Sequence, residues 1–86
     1  MYTYKTKGTC SSYIHIELSG DKIAHVRFEN GCQGNLRGIS RLVEGLTVGD
    51  AIAKLRGIPC GSKPTSCPDQ LSYALEAALK EQQQAS

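Results

Sequence analysis

The stretch Tyr13-Ile14-His15-Ile16-Glu17-Leu18-Ser19-Gly20-Asp21-Lys22-Ile23-Ala24-His25-Val26-Arg27-Phe28-Glu29 decides the fold. Ile14, Ile16 and Leu18 alternate with Tyr13, His15 and Glu17, the period of two that sends successive side chains to opposite faces of a half-buried strand. After Ser19-Gly20-Asp21-Lys22 the alternation resumes, with Ala24, Val26 and Phe28 on one face and His25, Arg27 and Glu29 on the other. Two such runs around a Gly-Asp turn predict an antiparallel hairpin. Burying both apolar rows on one side pairs Ile14 with Phe28, Ile16 with Val26 and Leu18 with Ala24. A two-residue Gly20-Asp21 turn would suit type II′ geometry but would set the isoleucines opposite Arg27 and His25, so burial takes precedence over turn chemistry.

Upstream, Tyr2-Thr3-Tyr4-Lys5-Thr6 is aromatic and β-branched and adds a third strand before Gly8. Downstream the period changes. Leu36, Ile39, Leu42 and Val43 recur at spacings of three and four, predicting a helix from about Asn35 to Glu44 that Gly45 terminates. Thr47 and Asp50 form a variant capping box ahead of Ala51, Ile52 and Leu55, so a short second helix ends near Gly57. Ile58-Pro59-Cys60-Gly61-Ser62-Lys63-Pro64-Thr65-Ser66 is a loop by its prolines and glycine. Cys67 then sits at or near an N-cap, Pro68 suits the first turn, and Leu71, Ala74, Leu75, Ala78 and Leu79 stripe a last helix to about Gln82, with a fraying tail beyond. The expected fold is α+β: an antiparallel three-stranded sheet, an N-terminal strand plus hairpin, followed by three helices packed on one face.

The 86 residues suffice for one domain, and the apolar content of 40% is ordinary. No run approaches the roughly 20 apolar residues that cross a bilayer, so no membrane role is expected. Met1-Tyr2-Thr3-Tyr4-Lys5 lacks the apolar segment of a secretory signal, which points to the cytoplasm and to reduced thiols. The formal charge of +2 is spread along the chain without a basic run, so a nucleic-acid contact has no support in composition. The sequence also offers no Ser-His-Asp arrangement, no phosphate-cradling glycine loop and no paired carboxylates in a cleft, and catalysis by the chain alone is not expected.

Four cysteines, Cys10, Cys32, Cys60 and Cys67, remain to be explained. A chain this short buries only about 60% of the surface its unfolded form exposes, and a staple compensates for a small core. In a reducing compartment that staple is a metal rather than a disulfide. Extending the hairpin register puts Cys10 and Cys32 at the same open end. Cys67, at a helix start, lies where unpaired N–H groups and a partial positive charge favour a thiolate, and Cys60 lies on the Pro/Gly loop as the least certain ligand. None of the spacings is a C-x-x-C, and buried free cysteine is common, so core thiols are the competing reading. His15 and His25 fall on the polar face and read as solvated strand residues, Asp69 as a helix-start carboxylate that can support a neighbouring ligand, and Tyr13 and Tyr73 as packing residues.

Thr65-Ser66-Cys67-Pro68-Asp69, followed by Gln70-Leu71, resembles the signature of the TSCPD domain family, and Gly31-Cys32-Gln33-Gly34-Asn35 and Gly57-Ile58-Pro59-Cys60-Gly61 resemble its cysteine-bearing blocks. The likeness covers nearly the whole chain. That family occurs as small free-standing proteins and as a C-terminal appendage of adenosylcobalamin-dependent ribonucleotide reductases; the resemblance implies a cysteine-liganded metal and a protein partner related to the reductase. A more distant likeness, to IscU/NifU-type iron–sulfur scaffold proteins, rests on Cys10 before a hairpin, Gly31-Cys32 opening a helix, the Glu44-Gly45-Leu46-Thr47-Val48 link and Cys67 opening an Ala-rich helix. Here Cys10-Ser11-Ser12 replaces the scaffold's Cys-Gly-Asp, its Leu-Pro-Pro-Val motif is missing, and Cys60 is extra. A fourth thiolate in place of a labile carboxylate makes a closed site, which suits zinc better than an exchangeable cluster. Three functions follow: a metal-binding accessory domain with zinc, an iron–sulfur or sulfur carrier working with iron–sulfur machinery, and a redox protein cycling Cys60 and Cys67.

Overall fold

A computed structural model describes residues 2–6, 12–30, 33–58 and 65–85 of the chain. Three strands, β1 (Tyr2–Lys5), β2 (Tyr13–Ser19) and β3 (Lys22–Glu29), are followed by three helices, α1 (Gln33–Val43), α2 (Val48–Leu55) and α3 (Cys67–Ala85). The sheet is antiparallel in the order β1-β2-β3, so the predicted α+β architecture is the observed one. Ile14, Ile16, Ile23, Val26 and Phe28 turn to one side and are buried against Leu36 and Val43 of α1, Val48 and Ala51 of α2, and Leu71, Ala74, Leu75 and Ala78 of α3. Residues of the opposite parity, such as Tyr13, Glu17, His25 and Arg27, remain exposed. All three helices therefore cover a single face.

The hairpin reconciles the two demands that the sequence set against each other. Ile14 pairs with Phe28, Ile16 with Val26 and Glu17 with His25, but the register then shifts and Leu18 pairs with Ile23. Ala24 is the extra residue of a β-bulge. It points outward, where a core position was expected, and Ile23 takes its place at 1% exposure. An isoleucine buries more apolar area than an alanine, and the bulge permits the tight turn as well. That turn has Gly20 at φ +63°, the positive value a type II′ corner needs in its first central position.

The link between α1 and α2 is tied to the same strand. Gly45, at φ +91° just beyond α1, donates its N–H to the Ile23 carbonyl (2.8 Å), Ile23 N–H bonds the Leu46 carbonyl (2.9 Å), and Val48 N–H bonds the Asp21 carbonyl (2.8 Å). The Thr47 hydroxyl caps α2 by accepting the Asp50 N–H at 3.2 Å, as the capping box predicts.

Two expectations about apolar positions are corrected. Leu42 is 78% exposed, because Leu36, Ser40 and Val43 define the inward line of α1 and a residue six positions beyond Leu36 points well away from it. Ser40 takes the inward position by donating its hydroxyl to the Leu36 carbonyl at 2.9 Å. Tyr13 and Tyr73, expected to pack, are 40% and 42% exposed. The tail also differs from expectation: α3 runs on to Ala85, and Gln82 donates its side-chain amide to the Gly20 carbonyl at 2.7 Å. No helix among the described residues is long and apolar enough to cross a membrane.

Candidate metal centre

The Gln82–Gly20 contact orients α3. Its C-terminal part lies at the closed end of the hairpin, and from Gln82 back to Cys67 the helix climbs about 22 Å at 1.5 Å per residue. The strand from Gly20 back to Tyr13 covers about the same distance at roughly 3.3 Å per residue. Cys67 thus begins α3 at the open end of the hairpin. Tyr4 gives an independent check there: burial pushes its phenol above the ordinary value of 10.0, and Tyr2, then Tyr73 and Asp69 of α3, push it the same way. Tyr4 is the strand partner of Ile14, near the open end.

This shift has a pH consequence. The folded state holds the Tyr4 proton more tightly than the unfolded chain, so its contribution to stability is complete below pH 10 and is lost as pH rises from 10 through the raised value. Urea midpoints measured at about pH 9 and pH 11 should fall less in Tyr4→Phe than in the parent; an identical fall in both would assign the loss to other groups.

At this end the backbone is closed by local bonds. Thr6 N–H donates to the Ser12 carbonyl (3.1 Å), Ser12 N–H to the Glu29 carbonyl (2.8 Å), and the Asn30 amide to the Ser12 hydroxyl (2.9 Å). Asn30 itself is left-handed, at φ 64°, a conformation that asparagine tolerates better than most residues. Thr6 and Ser12 are the described residues on either side of Cys10 in the sequence, and Asn30 is the described residue that precedes Cys32.

The pentapeptide Thr65–Asp69 is a latch. Ser66 is the N-cap of α3, its hydroxyl accepting the Asp69 N–H (3.2 Å) while donating to the Ile58 carbonyl (2.6 Å). The Asp69 carboxylate, 5% exposed, accepts the Gly57 N–H with Oδ1 (2.7 Å) and the Thr65 hydroxyl with Oδ2 (2.6 Å), and Gln70 donates to that same hydroxyl (3.0 Å). Arg56 extends the joint. It donates to the Ser72 hydroxyl (3.2 Å) and carbonyl (3.4 Å), reaches Glu76 (3.5 Å) and stacks 4.2 Å from the centroid of the Tyr73 ring. Ile58, two positions before Cys60, and Thr65, five positions after it, are thus each bonded to side chains at the start of α3.

Of the four predicted ligands, Cys67 is described: it is the first residue of α3 and 8% exposed. Cys10, Cys32 and Cys60, and with them the pairing of Cys10 opposite Cys32, lie outside the described residues. Among the described residues no three His, Cys, Asp or Glu side chains are grouped to hold a metal ion. The histidines are not merely solvated: His15, its side chain 15% exposed, lies between the Thr3 hydroxyl and Glu29, each at 3.0 Å, and His25 meets Glu44 at 3.0 Å. Asp69, read from the sequence as a helix-start carboxylate, is the centre of the latch, a role its position alone did not signal.

The model of the TSCPD domain matches residues 2–79. The chain belongs to the TSCPD domain family. The match takes in every strand, both short helices and most of α3, so the pentapeptide latch and all four cysteines fall within the family's extent. No curated protein and no solved structure matches the chain. Within this TSCPD domain the signature residues Thr65, Ser66 and Asp69 join α3 to the residues just after α2.

Proposed function

We propose that this TSCPD domain is a metal-binding accessory module in which Cys10, Cys32, Cys60 and Cys67 hold one zinc ion, and that it serves a protein partner of the ribonucleotide reductase type. The observation that carries this reading is the position of Cys67: a buried thiol, at the open end of the hairpin, on a helix start held by side-chain bonds on both sides. Thr6, Ser12 and Asn30, the described residues nearest in sequence to Cys10 and Cys32, lie at that same end, and Ile58, two positions before Cys60, is bonded to the Ser66 cap of α3. Four thiolates suit tetrahedral zinc, which contributes folding energy to a domain with a small core. In the bound state the metal would serve as a structural cross-link; the chain's own part is to bring the thiolates together and to exclude water around Cys67.

An iron–sulfur cluster on the same cysteines is the second reading, supported by the layout of Cys10, Cys32 and Cys67. The burial of Cys67 favours a closed site over one built for exchange, and it weighs against a dithiol that must reach a redox partner. Elemental analysis and an ultraviolet–visible spectrum of protein purified without oxygen test the reading. Stoichiometric zinc without colour supports it, broad visible absorption replaces zinc by a cluster, and metal-free protein with four titratable thiols sinks both.

A further inference from the structure

Between the outer edge of β3 and α1 runs a groove of about 640 Å³. Its floor is apolar, made by Val26, Phe28 and Leu36. Two carboxylates border it, and each already has a partner: Glu29 meets His15, and Glu44 meets His25. Three arginines, Arg27, Arg37 and Arg41, also line it, and none has an acidic partner among the described residues. Arg37 and Arg41 stand one turn apart on α1, both exposed. Three arginines against two carboxylates leave its border with a surplus of positive charge above an apolar floor.

The strand edge that forms one wall adds a second, directional feature. Val26 N–H points away from β2, since it bonds the Glu44 carboxylate at 3.4 Å across the groove. By the alternation of an antiparallel ladder, the N–H and C=O of Phe28 and the C=O of Val26 point the same way. No strand among the described residues pairs with this part of β3, whose one further bridge, Lys22 to Thr47, lies at the other end. Edge strands with open main-chain groups are templates for an added strand.

We infer that the β3–α1 groove is a docking site for an acidic, extended peptide segment of a partner protein, which joins the sheet beside β3 and places its carboxylates on Arg37 and Arg41. The main-chain groups of Val26 and Phe28 give the peptide its direction, and the arginines select its charge. Alternating donors and acceptors match a peptide backbone; a phosphodiester chain would use the donors alone. Glu44 holds the edge closed while the groove is empty, and binding releases Val26 N–H to the incoming strand.

The test uses the full chain, labelled with nitrogen-15, and a peptide of about seven residues alternating valine and glutamate, long enough to span the open edge of β3. Saturable binding is expected, with amide shifts centred on Val26, Phe28, Arg37 and Arg41 and slowed hydrogen exchange at Phe28. The double variant Arg37→Glu/Arg41→Glu should weaken binding by about tenfold or more with its amide spectrum otherwise folded, whereas Glu44→Gln, which removes a competing charge, should tighten it. Three results would overturn the inference: no saturation, equal binding of an N-methylated acidic peptide that cannot form a ladder, or preferential binding of a single-stranded oligonucleotide at the same amides.

Discussion

Asp69→Ala is expected to destabilise the protein by about 3–4 kcal/mol, a large part of the 5–10 kcal/mol or so that holds a domain of this size. The effect does not come from lost side-chain volume. Removing the carboxylate leaves the part-buried Gly57 N–H and Thr65 hydroxyl without their acceptor, beside a position where Asp69 itself is 5% exposed. Each stranded group costs about 1–3 kcal/mol. Asp69→Asn keeps one carbonyl oxygen but turns an N–H₂ toward a second donor, so about half the loss should remain. Urea unfolding monitored by circular dichroism measures both. A loss below about 1 kcal/mol in the alanine variant would mean that the bonds to Gly57 and Thr65 do not join α2 to α3.

How much of this was legible in the sequence follows the range of each signal. Periodicity is local and strong, so Ile14, Ile16, Val26 and Phe28 announced both strand and register, and Thr47 with Asp50 announced the start of α2. The bulge was not legible. It arises from a competition between a tight Gly20-Asp21 turn and core pairing, and it brings Ile23 into the core with its backbone bonded to Gly45 and Leu46 of the α1–α2 link, which no window around the hairpin contains. Leu42 misled for a related reason: an apolar residue beside a helical stripe reads as part of it, while Ser40 reads as solvent-facing until its bond to the Leu36 carbonyl is known. At the candidate site, Cys67 at a helix start was readable from Pro68 and the stripe behind it. The latch was not, because Asp69 bonds Gly57 from twelve positions away, and a carboxylate in a first turn already has a sufficient local explanation in the helix dipole. The β3–α1 groove is likewise an arrangement between elements: Arg27, Arg37 and Arg41 are unremarkable along the chain and line one groove through the packing of α1 on β3.

Cys67→Ser is expected to have the largest effect of any single substitution, a loss of bound metal together with about 5 kcal/mol or more of stability, because metal binding and folding are coupled when no preformed site exists in the unfolded chain. The substitution is nearly isosteric, so packing alone cannot account for such a loss. A core thiol at 8% exposure would cost only about 1–2 kcal/mol on changing to serine, and replacement by alanine would be gentler still. The two explanations separate on Cys67→Ala. If Cys67 packs and nothing more, alanine is tolerated and the metal content stays as in the parent. If it is a ligand, alanine and serine fail together, both lose metal by elemental analysis, and the difference from the parent shrinks to the small packing cost once the parent is stripped with a chelator. This last comparison is decisive, since chelation removes the metal's contribution from the parent and leaves the packing contribution of the thiol in place. Equal stability differences before and after chelation would return Cys67 to the core and leave α3 latched for its own sake.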